Sequence, residues 1–381
     1  MAFAMRGGRV YVCIRRAVQA LQEIRMSAAN NVAAVGIERR PAASASAVRL
    51  WLWAVAALIF AMVLVGGATR LTESGLSITQ WKPITGVIPP LSAADWQAEF
   101  DRYKLIPQYS KLFPDMNLDG FKTIFLWEWS HRLLARLIGV AFILPALWFW
   151  GTGALKGALG RQVLVATGLL ALEPIVGWWM VASGLVDRTE VSQVRLAIHL
   201  LIGAATFSAL VYAATGLRAP RAEAAPSRLV RAARLIAFAV FCQLGLGALV
   251  AGLRAGLIYN TWPLMDGRLI PSGLFGASPW WSSLYDDIAT VQFDHRLLAY
   301  AIVVLAIWHT IDASRAAPGT SLARRARVVA GLALAQAALG ITALLLVVPI
   351  WAALLHQAFA MLLLGMAVVH ARASALDARP A

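Results

Sequence analysis

Cysteine is nearly absent from this 381-residue chain, which has two, Cys13 and Cys242. One lies in a polar N-terminal stretch and the other inside a long apolar run. A structural disulfide between them is therefore excluded, and neither has the spacing of a thiolate metal site. Charge is also scarce. Charged residues make up 14% of the chain and hydrophobic residues 60%, well above the roughly 45–50% apolar content of a soluble domain. Acids are scarcest, 19 against 34 Lys and Arg, for a net charge of +15. In a soluble protein such a balance points to nucleic acid, but no aromatic-basic surface patch accompanies it, so no nucleic-acid partner is expected. No secretory leader is expected either. Residues 1–48 are Arg-rich and acid-poor, without the apolar core a leader needs. They fit a flexible inner tail. The same composition also suits an organelle transit peptide, or an over-extended reading frame with Met26 as the start.

What the chain does contain is apolar length. Eight runs approach the roughly 20 residues needed to span a bilayer: 49–69, 122–150, 161–182, 191–216, 229–252, 288–312, 326–348 and 350–371. The expected fold is an all-α polytopic membrane protein of eight transmembrane helices. With the N-terminus inside, the inner segments carry 21 of the 34 Lys and Arg and the outer loops 9. That bias predicts an N-in/C-in topology.

The chain repeats itself. His-Arg-Leu-Leu-Ala occurs at 131–135 and again at 295–299. Gly75-Leu76, Trp81, Gly86 and Pro90 recur as Gly256-Leu257, Trp262, Gly267 and Pro271, each pair 181 residues apart. The HRLLA copies are 164 apart, so the first outer loop is 17 residues longer than the second. This predicts two duplicated four-helix bundles, related by an axis along the membrane normal. The expected divisions are an inner tail at 1–48, an N-terminal half at 49–216, a linker at 217–228, a C-terminal half at 229–372 and a tail at 373–381. The long first loop, 70–121, is expected to cap its bundle with short helices.

Each half places two histidines within apolar runs: His131 and His199, then His295 and His356. All four are expected at similar depth, roughly 10–14 Å below the outer helix ends at 1.5 Å per residue. An ionisable side chain at that depth is costly and usually functional. Paired imidazoles at one level suit the two faces of a haem, so two haem sites are expected. His309 and His370 each lie 14 residues after a candidate ligand. They fit either a further haem near the inner surface or cheap, exposed positions at inner helix ends.

The halves differ in charge. Glu128 precedes His131 by three residues, on the same helix face, where Gln292 precedes His295. Arg195 precedes His199 by four, where Ala352 precedes His356. The first site therefore looks reactive and the second suited to electron transfer or a structural haem. A Glu128–Arg195 ion pair that merely neutralises both groups is the bland alternative. Arg132, Arg136 and Arg296 suit haem propionates or lipid headgroups equally. Glu173, buried beside Pro174, has no assigned role.

These residues resemble the haem A synthase family. The resemblance rests on Glu128-Trp129-Ser130-His131-Arg132, Asp294-His295-Arg296, His199, His356, the segment Gly177–Leu185 and the run 66–72, and it covers about 49–372. It implies oxidation of one methyl group of haem O to a formyl group, giving haem A for terminal oxidases. Two successive hydroxylations yield a gem-diol that loses water. It further implies that Glu128 is the catalytic carboxylate. His131 and His199, with Arg132 and Arg195, would hold the substrate haem. His295 and His356, with Arg296, would hold a haem b. The expected setting is the bacterial inner membrane, with haem sites near the outer face. Haem O synthase, an electron-transfer partner and the lipid bilayer are the expected partners, and a homo-oligomer is compatible. Some members carry an outer-loop cysteine pair; this chain resembles the subgroup without it. The alternatives are a haem b electron-transfer cytochrome or a haem carrier for oxidase assembly.

Overall fold

A computed structural model describes residues 42–219 and 225–378, with side chains from 45 onward. The expected tail up to 41, including Cys13, lies outside the described residues, as do 220–224 of the linker and 379–381. From Ser46 onward the chain forms one compact unit.

Eight long helices carry it: α1 Ala42–Leu71, α2 Leu118–Gly151, α3 Gly157–Ala182, α4 Gln193–Gly216, α5 Ser227–Gly252, α6 Ile288–Ala316, α7 Ser321–Leu345 and α8 Ile350–Asp377. Each contains an 18-residue window of mean hydropathy 1.6 to 2.3, long and apolar enough to cross a membrane. Among the described residues the sole strand-like feature is an isolated bridge between Met265 and Arg268. Large apolar side chains such as Leu144, Leu147 and Trp148 point outward from α2, as lipid requires and water would not favour. The chain is an all-α polytopic membrane protein.

Polar residues set the helix ends. The Asn117 side chain accepts the Gly120 amide and starts α2, and Asp287 accepts the Thr290 amide to start α6. The start of α2 is four residues earlier than expected, because Phe121 and Phe125 are buried beneath the first loop. That loop contains helices at Ala93–Tyr103 and Pro107–Leu112, as expected of a cap. Phe100 and Tyr103 stack on Phe121 at ring distances of 5.1 and 5.3 Å. α8 runs on to Asp377, so most of the expected tail is helix.

Spans from the two ends of the sequence meet closely. Gly67 of α1 leaves the space taken by the Gln357 side chain of α8, whose Nε2 donates to the Val63 carbonyl at 2.9 Å. Gly365 of α8 lies against the Phe207 ring of α4. Small residues at such crossings allow helices to pack without a hydrophobic drive between them.

Ion pairs tie both ends of the bundle. At the end carrying the long loops (the loop end), Arg70 binds Glu73 and Glu190, and Arg254 binds the same two carboxylates at 2.6 Å each. Burial raises the Glu73 carboxyl above its usual range, against the pull of Arg70 and Arg254. Glu73 and Arg254 each stand two residues beyond a helix, with φ of 56° and 51°. They are 181 residues apart, the interval of the sequence repeat. At the opposite end, buried Asp377 accepts from Arg218 at 2.6 Å and Arg325 at 3.1 Å.

Candidate active site

The four histidines share one local arrangement. His131 lies against Gly66, His199 against Gly177, His295 against Gly247 and His356 against Gly340. Each glycine belongs to the preceding long helix and stands five residues before its last residue. The four rings are therefore in register with one another when measured from those helix ends. Measured from the helix starts they are not, since His131 is thirteen residues into α2 and the others six or seven into theirs. The early start of α2 accounts for the difference. A Cβ on any of the four glycines would come within 2.8 to 3.2 Å of a ring atom. At Gly340 a methyl group would force a shift, and at the other three the ring would have to give by a few tenths of an ångström.

The rings also form two pairs. His131 and His199 are within range of each other's charge, and so are His295 and His356. All four are partly uncovered by protein; Nδ1 of His356 lacks a hydrogen-bond partner, and Nδ1 of His199 has only an oblique approach from Glu173 Oε2 at 2.7 Å. Paired imidazoles in register, with open ring surface and room cleared by glycine, fit axial ligation of two porphyrins.

Glu128 is 3% exposed and fully engaged. One oxygen accepts from Ser77 Oγ at 2.7 Å and the Ile78 amide at 2.8 Å, the other from Arg132 Nη2 at 2.6 Å and Nε at 3.1 Å. Ser77 and the Ile78 amide were not singled out from sequence, because they reach Glu128 from the loop some fifty residues away. The Glu128–Arg195 ion pair considered above is not formed. Arg195 donates instead to the Trp179 carbonyl at 2.8 Å and lies over that ring. Arg132, one helical turn after Glu128, takes the place of Arg195.

The second site repeats this frame with an amide. Gln292 Nε2 donates to the carbonyls of Tyr259 at 3.0 Å and Ala255 at 3.1 Å, and its Oε1 accepts from Arg296 at 3.1 Å. Arg132 donates to the Ile78 carbonyl at 2.9 Å, and Arg296 to the Tyr259 carbonyl at 3.0 Å. Ile78 and Tyr259 are again 181 apart. The two arginines thus bind loop backbone, leaving Nε of Arg296 without a partner. Arg136 donates to the Lys82 and Pro83 carbonyls, and its Nη1 has no partner.

His309 and His370 are not exposed, as one reading of their positions required. Both are buried, and their Nε2 atoms are 2.8 Å apart. Each Nε2 satisfies the other directly and leaves no gap for a porphyrin between them, while Nδ1 of each ring is buried without a partner. Two neutral imidazoles can do this when one donates and the other accepts.

Residues 49–368 match the profile of the COX15-CtaA family, described as cytochrome oxidase assembly protein. Several similar proteins carry the name haem A synthase. That of Methylobacterium sp. (strain 4-46) is 56% identical over 334 residues, 87% of this chain and 92% of the relative. That of Rhodopseudomonas palustris (strain BisA53) is 57% identical over 326 residues, 85% and 90% of the two chains. That of Brucella anthropi is 51% identical over 327 residues, 86% and 92%. The chain accordingly belongs to the COX15-CtaA family of cytochrome oxidase assembly proteins.

Proposed function

We infer that this protein oxidises a methyl group of haem O to a formyl group, giving haem A for terminal oxidases. The observation that carries this reading is the pairing of Glu128 with Gln292. Two sites share one frame of histidines, arginine and loop carbonyls, and one of them holds a carboxylate where the other holds an amide. The haem A synthase names of relatives above 50% identity support the reaction class.

The substrate haem O belongs between His131 and His199, beside Glu128. The second pair, His295 and His356, suits a resident haem b, which supplies electron transfer when bound. Glu128 is held by four donors, so its charge points in a fixed direction and needs no reorganisation as charge develops at the methyl carbon. Gln292 cannot offer that charge or accept a proton. Arg132 couples Glu128 to the loop backbone at Ile78 and Gln80, so the loop and the carboxylate move together.

The repeated contacts at intervals of 181 and 164 residues support two duplicated four-helix halves, 49–216 and 229–372. The charge bias of the connecting segments supports an N-in/C-in orientation in a bacterial inner membrane, with the loop end outward. Haem O is too apolar to cross water readily, so direct transfer from haem O synthase is proposed. The electron-carrier alternative gave His309 and His370 a haem; their mutual hydrogen bond favours the enzyme.

The test is expression in a host that makes haem O, followed by chromatography of the extracted haems. Haem A is expected from the unaltered chain, and Glu128→Gln is expected to lower its yield at least a hundredfold while leaving bound haem in place. Absence of haem A with folded protein present overturns the reading.

A further inference from the structure

Glu173 has no part in the reading above, yet it is a second carboxylate at the first pair of histidines. It sits on α3 one turn before Gly177, the residue against which His199 lies. Its Oε2 is 2.7 Å from His199 Nδ1. The approach is too oblique for a straight hydrogen bond, and Glu173 Oε1 is buried without any donor. Gly203, one turn beyond His199 on α4, makes room for it: a Cβ there would lie 3.3 Å from Oε1.

The second site supplies a built-in control. Gly340 lies against His356 as Gly177 lies against His199. One turn before Gly340 stands Gln336, whose Nε2 is 3.4 Å from His356 Nε2, so the amide approaches the other ring nitrogen and makes a longer contact, leaving His356 Nδ1 without a partner. Glu173 and Gln336 nearly match in shape and differ in charge. The same exchange separates Glu128 from Gln292. Two positions in the first site thus carry a carboxylate where the second site has the corresponding amide. Packing demands no such difference, because the amide fills the same volume. A negative charge against an imidazole does something the amide cannot. It fixes the proton on the facing nitrogen, leaves the other nitrogen as the ligand, and strengthens that ligand's electron donation.

We propose that Glu173 is the positioning residue for His199. It anchors Nδ1, presents Nε2 to the iron of the substrate porphyrin, and makes His199 a stronger donor than His356, whose neighbour Gln336 is uncharged. The inference rests on the functional reading above, in which His131 and His199 hold the substrate.

The test uses full-length protein purified from a host that makes haem O, with each haem signal assigned by His199→Ala and His356→Ala. Glu173→Gln is expected to shift the reduction equilibrium of the first-site iron about tenfold toward the reduced form, 59 mV for a one-electron couple. Haem content and the second-site potential stay unchanged. Gln336→Glu is expected to move the second-site potential by a similar factor in the opposite direction. An unshifted first-site potential in Glu173→Gln, at full haem content, overturns the proposal. If Glu173→Gln loses the first-site haem, Gln336→Glu decides: a lowered second-site potential supports the proposal, and an unchanged one overturns it. Unaltered protein with no haem signal that His199→Ala removes overturns the functional reading itself, whatever the Glu173 and Gln336 variants show.

Discussion

Four side chains of one atom each decide how the imidazoles sit. At Gly340 an added methyl would meet His356 Cε1 at 2.8 Å, the tightest of the four approaches. Neither the α7 backbone nor the ring has a flexible end that can give way. Overpacking of this kind costs about 1–3 kcal/mol, which corresponds to roughly five- to 150-fold weaker haem binding. Gly340→Ala is therefore expected to deplete the second-site haem and leave the first, and Gly177→Ala the reverse, read as haem per chain and by the visible spectrum. Gly139→Ala, with nothing within 4 Å, is the neutral control. The contrast of Glu128 with Gln292 was legible in the sequence because both stand three residues before a repeated histidine. The partner of Glu128 was not. Spacing places Arg132 and Arg195 near the site alike, and only the fold shows Arg195 turned to Trp179. Glu173 was opaque for the same reason, since its partner lies on another helix.

At the scale of elements, apolar run length located all eight spans but not all their ends. The start of α2 depends on rings buried under a loop, which hydropathy does not register. The loop helix Ala93–Tyr103 is held down partly by Glu99. Burial pushes the Glu99 carboxyl up, but hydrogen bonds and charge from Arg102 and Lys82 outweigh it and hold it below its ordinary value of 4.5. A carboxyl depressed in the folded state contributes stability that is present above its unfolded value and is lost as pH falls through the folded one. The loop is therefore expected to loosen in acid, below 4.5. Amide exchange in 93–103, corrected for intrinsic rates, is expected to quicken between about pH 6 and about pH 3. Glu99→Gln should remove most of that dependence. If exchange in the unaltered chain follows the intrinsic rate alone, Glu99 does not anchor the loop.

For the whole molecule, the repeat interval was legible but the meeting of equivalent positions was not. Offsets show which residues correspond, and give no distance from the axis that relates them. Glu73 and Arg254 correspond and touch, at 2.6 Å. Glu73→Arg and Arg254→Glu are each expected to destabilise the protein by about 1–3 kcal/mol, the range for a pair only partly shielded from solvent. The double exchange is expected to cost no more than either single variant, because it restores the attraction between positions 73 and 254 while setting position 73 against Arg70 and position 254 against Glu190, read as melting temperature in detergent. Additive losses in the double variant would rule out direct coupling.

That contact also discriminates between partners. If two copies of the first four helices docked in the same way, Glu73 would face Glu73. Two copies of the last four would set Arg254 against Arg254. Like charges reject both arrangements, and only the mixed pairing attracts. On the proposed reading, the half that holds Glu128 is thereby matched to the half that holds Gln292 and not to a second copy of itself.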